Sequence, residues 1–324
     1  MSAHIDDPTG LARNHWRHIL SQYDVPPEAL TGKHTACPYC GGQDRFRFDN
    51  KEGAGTYYCS GCGAGTGYSL LMKLKGVNFG EALKMVKDVI EPGAPEDKPT
   101  PVMEATERRA SLNRLWKGGT LSSYRTTEYL ISRGLSEEVA KIGSRVLRFT
   151  EKAWLREEKS FLPAILALVT RLTGEPVSIH RTFLLPNGGR VKKMMPGVGE
   201  LAGAGVWFGP RTLNKWIVGE GIETTLAGLQ LEGVDATAVA ALNANMLEQL
   251  EIPDHVTELV ILADNDSSFT GMKSAAVLAN KVAMRKAPCE VTISSPAFTD
   301  KDMLDALHQS QSGPIYYFTG GRHG

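Results

Sequence analysis

Four of the five cysteines fall into two knuckles, Cys37-x2-Cys40 and Cys59-x2-Cys62. A two-residue gap in a tight turn lets both thiolates face one ion about 2.3 Å away, and two such knuckles complete a tetrahedron. Gly41 and Gly42 follow the first knuckle, and Gly61, Gly63 and Gly65 surround the second, which suits tight turns. The spacing reads as a structural Zn2+ site. A disulfide pair or a redox C-x-x-C fits less well, because residues 1–20 contain Asp6, Asp7 and Arg13 and lack the apolar run of a secretory signal. His34 lies close by, but four thiolates already fill the shell. Cys289, in an apolar strand-like run, reads as a buried thiol.

A second set of residues suits a harder cation. Glu220 directly follows Ile217-Val218-Gly219, Asp264-Asn265-Asp266 ends the run Leu259–Ala263, and Asp302 and Asp305 follow the last strand-like segment. A D-x-D at a strand end sends two carboxylates to one side of the turn, an arrangement for an oxygen-seeking ion. Converging acids without basic partners repel, and a divalent metal offsets that repulsion. Any single pair has an ordinary alternative as a helix cap, Asp302 above all. Three clusters at equivalent positions point instead to Mg2+ or Mn2+ held by Asp264 and Asp266, with Asp302 and Glu220 beside them.

The elements that must position these groups differ along the chain. Arg45-Phe46-Arg47-Phe48 alternates with period two and Thr56-Tyr57-Tyr58 leads into the second knuckle, so both are read as ribbon strands with phenylalanines inward and arginines outward. Ser69–Ile90 has helical periodicity broken at Gly76. Residues 91–101 hold four prolines and read as an extended, semi-rigid linker. Thr106–Arg148 is helical and basic, and strand-like runs follow at Ala164–Leu172 and Pro176–Leu185. From residue 213 strands alternate with helices, which implies a small, mostly parallel sheet covered on both faces, with sites at its carboxyl edge. The chain is therefore read as a multi-domain α/β protein: a zinc ribbon with flanking helices at 1–90, a linker at 91–103, a basic α+β region at 104–212, the parallel-sheet domain at 213–312 and a tail at 313–324.

The length of 324 residues suits about two domains, and no run approaches the ~18 apolar residues of a membrane span. Composition is globular, with 42% hydrophobic and 22% charged residues, which excludes a disordered chain or coiled coil. The net charge of zero conceals polarity: residues 104–217 carry +9 and residues 218–324 carry −8. A basic platform next to an acidic centre suits a polyanionic partner and a bound cation.

Together these residues resemble a known family. Gly219-Glu220-Gly221 before a helix, Asp264-Asn265-Asp266 and Lys301-Asp302-Met303-Leu304-Asp305 look like the Toprim domain shared by DnaG-type primases, topoisomerases and several nucleases. Cys37-Pro38-Tyr39-Cys40-Gly41-Gly42-Gln43-Asp44-Arg45-Phe46-Arg47-Phe48 with Cys59-Ser60-Gly61-Cys62-Gly63 resembles the zinc ribbon of phage and plasmid primase–helicases. His180–Leu184, Lys192-Lys193 and Gly205–Phe208 are similar to that family's region before Toprim, so the likeness runs along nearly the whole chain. One departure stands out. No G-x-x-x-x-G-K-[ST] loop is present, the nearest string being Gly271-Met272-Lys273-Ser274, so the helicase part is not expected.

The resemblance implies a cytoplasmic DNA primase of a phage, plasmid or other mobile element, making short RNA primers from NTPs on single-stranded DNA and working with a separate replicative helicase. It implies Asp264 and Asp266 as Mg2+ ligands, Asp302 as a third or water-mediated one, and Glu220 as ligand or general base. Arg181, Lys192 and Lys193 would hold triphosphate or template. Arg45, Arg47 and either Tyr57 or Tyr58 would touch template bases. Two alternatives use the same residues: a Toprim-type nuclease, or a non-catalytic zinc-containing DNA-binding accessory protein. A topoisomerase is set aside because no tyrosine-bearing breakage domain is recognisable.

Overall fold

The computed structural model describes residues 10–90, 94–97, 105–297, 301–308 and 315–320. They belong to two compact units, Met1–Glu104 and Ala105–Gly324.

The first unit begins with helix α1 (Trp16–Ser21) and a 3-10 turn at Pro27–Leu30. Strands β1 (Thr35–Cys37), β2 (Gly41–Phe48), β3 (Tyr57–Cys59) and β4 (Gly63–Gly65) form an antiparallel sheet in that order. Each cysteine knuckle is the turn of one hairpin. Gly41, Gly42 and Gly63 have φ of 69°, 80° and 86°, a left-handed backbone that favours glycine. Helices α2 (Gly67–Lys75) and α3 (Phe79–Val89) each start with a capping box, from Thr66 and Asn78, and Gly76 (φ 66°) ends the first as the sequence indicated. Phe46 and Phe48 are fully buried, as the period-two reading required. They share a core with Trp16, Tyr57, Tyr68, Leu70 and Val86.

Within the proline-rich segment, the described residues 94–97 contact the ribbon unit. Helix α1 has no side-chain cap of its own. Asp97, 80 residues away in sequence, supplies one: its carboxylate accepts the Arg17 backbone N–H (2.9 Å) and the Asn50 amide (3.2 Å). A carboxylate at a helix N-terminus satisfies an orphan donor and meets the positive end of the helix dipole. The segment is therefore tied back onto the ribbon at this point.

The second unit opens with α4 (Ala105–Lys117), a short strand β5 (Thr120–Leu121), α5 (Tyr124–Ser132) and α6 (Glu137–Ser144). Strands β6 (Arg148–Leu155), β7 (Ser160–Thr170), β8 (Pro176–Leu184) and β9 (Arg190–Met194) follow. All five strands pair antiparallel in the order β5-β6-β7-β8-β9. Alternation gives this sheet two faces. Ala153, Ala164, Leu166, Ile179 and Phe183 pack on one side with Leu112 of α4. Phe149, Ile165 and Ala167 point the other way, into the main core of the unit.

That core is built on a second sheet. It contains β10 (Val206–Phe208), β11 (Lys215–Gly219), β12 (Thr237–Ala240), β13 (Glu258–Leu262), β14 (Glu290–Pro296) and β15 (Ile315–Gly320). The order is β10-β12-β11-β13-β14-β15; the four central strands are parallel and the two edges antiparallel. Helices α7 (Ile222–Glu232), α8 (Ala244–Glu248), α9 (Thr270–Ala283) and α10 (Met303–His308) connect them. The mixed α/β class and the mostly parallel sheet agree with the sequence reading. Strands β6, β10 and β15 were not anticipated. The last lies in residues 313–324, read as a tail, although Ile315-Tyr316-Tyr317-Phe318-Thr319 is rich in β-branched and aromatic residues that favour strands. Among the described residues no helix is long and apolar enough to cross a membrane.

Candidate metal centres

The four ribbon cysteines place their sulfurs within 4.8 Å of one another. Cys37 Sγ lies 3.7 Å from Cys62 Sγ, and Cys40 Sγ 3.6 Å from Cys59 Sγ. A tetrahedron with metal–sulfur bonds of about 2.3 Å has edges of about 3.8 Å, so these separations fit zinc and are far too long for a disulfide of about 2.05 Å. Gly42 and Gly61 leave the space in which the Arg45 side chain lies; a Cβ at Gly42 would stand 2.1 Å from its Nε. Arg47 pairs with Tyr58 across β2 and β3, while Phe46 pairs with Cys59 and so faces the metal side. Of the two tyrosines left undecided by sequence, Tyr57 is buried and Tyr58 is 39% exposed. Arg45, Arg47 and Tyr58 thus share the outer face, with Arg47 3.8 Å from Asp49.

In the second unit the acids gather where β11 and β13 end side by side. This is the switch point of the parallel sheet, from which the chain leaves β11 first to β12 and then crosses to β13. Gly219 lets the turn after β11 close tightly: a Cβ there would lie 2.9 Å from Thr225 Oγ1 and 3.3 Å from the Leu262 side chain. Glu220 sits in that turn. Burial and the Asp266 charge push its carboxyl above the usual range, while Lys192 pulls it down. Asp264 is pushed up to about 7, first by burial and then by the charges of Asp302, Glu220 and Asp266. Its Oδ1 is buried and has no hydrogen-bond partner.

Asp266 differs. Burial pushes it up, but the amides of Ser268, Thr270 and Gly271 and the Ser268 hydroxyl outweigh burial and hold it low. Gly271 N–H donates to one carboxylate oxygen at 2.9 Å, and Ser268 N–H to the other at 2.9 Å. Asp302 does act as a helix cap. It accepts the Asp305 N–H (2.9 Å), Asp305 accepts the Asp302 N–H (3.2 Å), and Thr224 Oγ1 donates to Asp302 at 3.4 Å. The four acids interact through Asp264, which feels the charges of the other three. Among the described residues only the cysteines bring three or more ligand atoms within 4.8 Å.

Strand register separates the basic residues. Lys192 pairs with Thr182, whereas Lys193 pairs with Arg181, so Lys192 lies on one face of the sheet and the other two on the opposite face. Arg181 stacks over Phe183 at 5.1 Å and donates to the Trp154 carbonyl, and Lys193 is 2.7 Å from Glu157. Lys192 reaches the acid site, donating to Glu223 at 2.8 Å.

Glu223 was missed from sequence. It sits in the first turn of α7, 4% exposed, and also accepts the Tyr129 hydroxyl. Burial opposes its charge, but Lys192 and Tyr129 more than compensate and hold it near 2. His180, on the Lys192 face, is held at about 4 by burial and the Lys192 charge. A cavity of about 260 Å³ opens here, lined by Arg133, Arg190, Lys192, Glu223, Thr224, Asp302 and Leu304. The only sequence cue was the Glu220-x-x-Glu223 spacing at a helix start, which also describes an ordinary first-turn acid.

Family models match three segments. Residues 32–68 match the zinc-binding domain of primase-helicase, residues 215–312 a Toprim domain, and residues 106–208 a domain of unknown function (DUF7146). The chain therefore carries a primase-type zinc ribbon and a Toprim domain. Solved structures similar to it include the Aquifex aeolicus primase zinc-binding and RNA polymerase domains (16% identity, 94% of this chain and 85% of that one, TM-score 0.39). A second is the primase fragment of the bacteriophage T7 primase-helicase (17%, 86% and 98%, 0.37), and a third a DNA primase domain from Pseudomonas aeruginosa (16%, 64% and 75%, 0.41).

Two outcomes follow from this geometry. Cys37→Ser should abolish stoichiometric zinc in elemental analysis of the purified protein; undiminished zinc would remove Cys37 from the site. The depressed Glu223 carboxyl contributes stability that is present above about pH 4.5 and lost as pH falls toward 2, on the order of 3 kcal/mol. The stability gap between wild type and Glu223→Gln should accordingly shrink on acidification, and a gap constant in pH would exclude this ionisation as its source.

Proposed function

We propose that the protein is a DNA primase that joins NTPs into short RNA primers on single-stranded DNA, serving the replication of a phage, plasmid or other mobile element. The observation that carries this reading is the buried, unpartnered Asp264 oxygen inside a ring of acids, in a chain that also holds a four-cysteine ribbon. Primer synthesis needs a template reader and a centre for polyanion chemistry, and the two units offer one each. Nuclease chemistry uses the acids but leaves the ribbon without a role.

The acid ring fits Mg2+ or Mn2+. Its donors are all hard oxygens, and like-charge repulsion is relieved by a cation. Asp264 and Asp266 would hold it, with Asp302 behind a water, because Mg2+ keeps part of its hydration shell. When bound, the cation neutralises charge developing on the transferred phosphoryl group and its leaving pyrophosphate.

The remaining steps belong to the chain. The amides around Asp266 fix its carboxylate, so little reorganisation is needed on binding. Glu220, its carboxyl raised by burial, takes the proton from the attacking 3′-hydroxyl. Lys192, held by Glu223, and Arg133 in the same cavity meet the triphosphate. Arg45, Arg47 and Tyr58 give the ribbon a face for phosphate pairing and base stacking on the template. Unwinding falls to a separate helicase.

The decisive assay incubates the protein with single-stranded DNA, labelled NTPs and Mg2+. Short oligoribonucleotides are expected from wild type, and at least a ~100-fold loss from Asp264→Ala and Glu220→Ala, the scale on which removing a charge-stabilising group acts. DNA degradation instead of synthesis would select a nuclease. The same repulsion predicts that Asp264→Asn raises the Tm of the metal-free protein and cancels the further rise that millimolar Mg2+ gives wild type. A Mg2+-dependent rise retained in the variant would take Asp264 out of the metal site.

A further inference from the structure

The β6–β7 hairpin exposes two large aromatic side chains side by side. Trp154 is 46% and Phe161 63% exposed, and their rings meet edge to face with centroids 5.1 Å apart. They are cross-strand partners, so both lie on one face of the sheet. Residues two apart on a strand share a face. Phe161 therefore points to the same side as Ile165 and Ala167, which enter the core shared with the parallel sheet. Ile165 pairs with Thr182, and Thr182 with Lys192, so Lys192 projects from this face as well. Leu184 pairs with Arg190, which places Arg190 one row further out on the same side.

The face thus has an order. Its inner rows are buried core. Next comes Lys192, bonded to Glu223 beside the acids, then Arg190 at the cavity. Beyond that row, at about 4.8 Å per strand, come Phe161 two strands across and Trp154 three strands across. The opposite face of the sheet is occupied by α4 and by the Arg181 and Lys193 contacts already described, so the aromatics cannot belong to that cluster.

We propose that Trp154 and Phe161 form a stacking platform for unpaired bases of a DNA strand whose phosphates run past Arg190 toward the acid ring, where Lys192 meets the triphosphate. This rests on the primer-synthesis reading and names the template path within the second unit. The charge pattern selects the occupant. An apolar protein partner would want the aromatic patch extended, whereas here it gives way to two cations on the way to a cavity. Aromatic rings beside a basic track are how single strands are held without reading sequence, because every base has a π-face. The pair keeps two rotamer-poor side chains exposed at the site's approach, which lowers the ordering cost of binding.

The test uses the intact protein and fluorescein-labelled oligo(dT), followed by anisotropy. Trp154→Ala with Phe161→Ala should weaken binding about tenfold or more, given roughly 1–3 kcal/mol per stacked base, while Trp154→Phe retains it. The dependence of log Kd on log salt should keep its slope, since no phosphate contact is lost. Affinity for blunt duplex DNA should stay unchanged, because stacked bases offer no face. Equal oligo(dT) affinity of wild type and the double variant, with primers still made, overturns the platform alone. A wild type that neither binds oligo(dT) nor makes primers overturns the primase reading and the platform with it. A double variant altered only in self-association, with oligo(dT) affinity intact, assigns the face to a second copy and overturns the proposal.

Discussion

The second unit is organised around repulsion between carboxylates. Asp264 lies among Glu220, Asp266 and Asp302 with a buried oxygen that nothing donates to, and burial with these neighbours raises it to about 7. Left alone, such a cluster would protonate or open. Three features of the fold resist this. The amides at the start of α9 hold Asp266 ionised, α10 uses Asp302 as its cap, and Lys192 leans in from the antiparallel sheet. Each is imposed by a different element, so the ring persists only while both sheets and their helices stay assembled.

Lys192 joins the two halves of that assembly. It leaves β9, in the antiparallel sheet, and ends on Glu223 in the first turn of α7, directly after the Glu220 turn. Glu223 is buried and charged, a costly state unless paired and hydrogen-bonded; Lys192 and the Tyr129 hydroxyl from α5 provide both. Three elements from the basic middle of the chain and the Toprim domain therefore meet at one carboxylate. The pair also fixes where the lysine charge stands relative to the acids.

What sequence could show here follows from the range of each interaction. Cys37, Cys40, Cys59 and Cys62 were legible because both knuckles are local and zinc geometry demands the spacing. Glu220 and the Asp264–Asp266 pair were legible because the strand runs before them are apolar and the sheet's carboxyl edge is shared. Arg181 and Lys193 were grouped with Lys192 because cross-strand register is set by distant turns; neighbours in sequence on a strand point to opposite faces. The contacts of Asp97 with Arg17 and Asn50 were not legible because no local pattern encodes them. The strand β15 did carry a local signal, outweighed by its place near the chain end.

The neutral net charge acquires a structural meaning at this scale. The +9 of residues 104–217 and the −8 of residues 218–324 are not two separate surfaces. Part of each is neutralised where they touch, at Lys192 and Glu223, and the excess on either side is what remains to act. On one side the remainder includes Arg190, which lines the cavity. On the other it is the Glu220–Asp264–Asp266–Asp302 ring, whose repulsion a cation relieves. Under the proposed reading, a nucleoside triphosphate with its own divalent metal would meet both remainders at once, the phosphates at the cavity and the metal at the acids. Binding then lowers two repulsions that the protein bears by itself, which ties affinity for nucleotide to affinity for metal through linkage rather than through any contact between them in the protein.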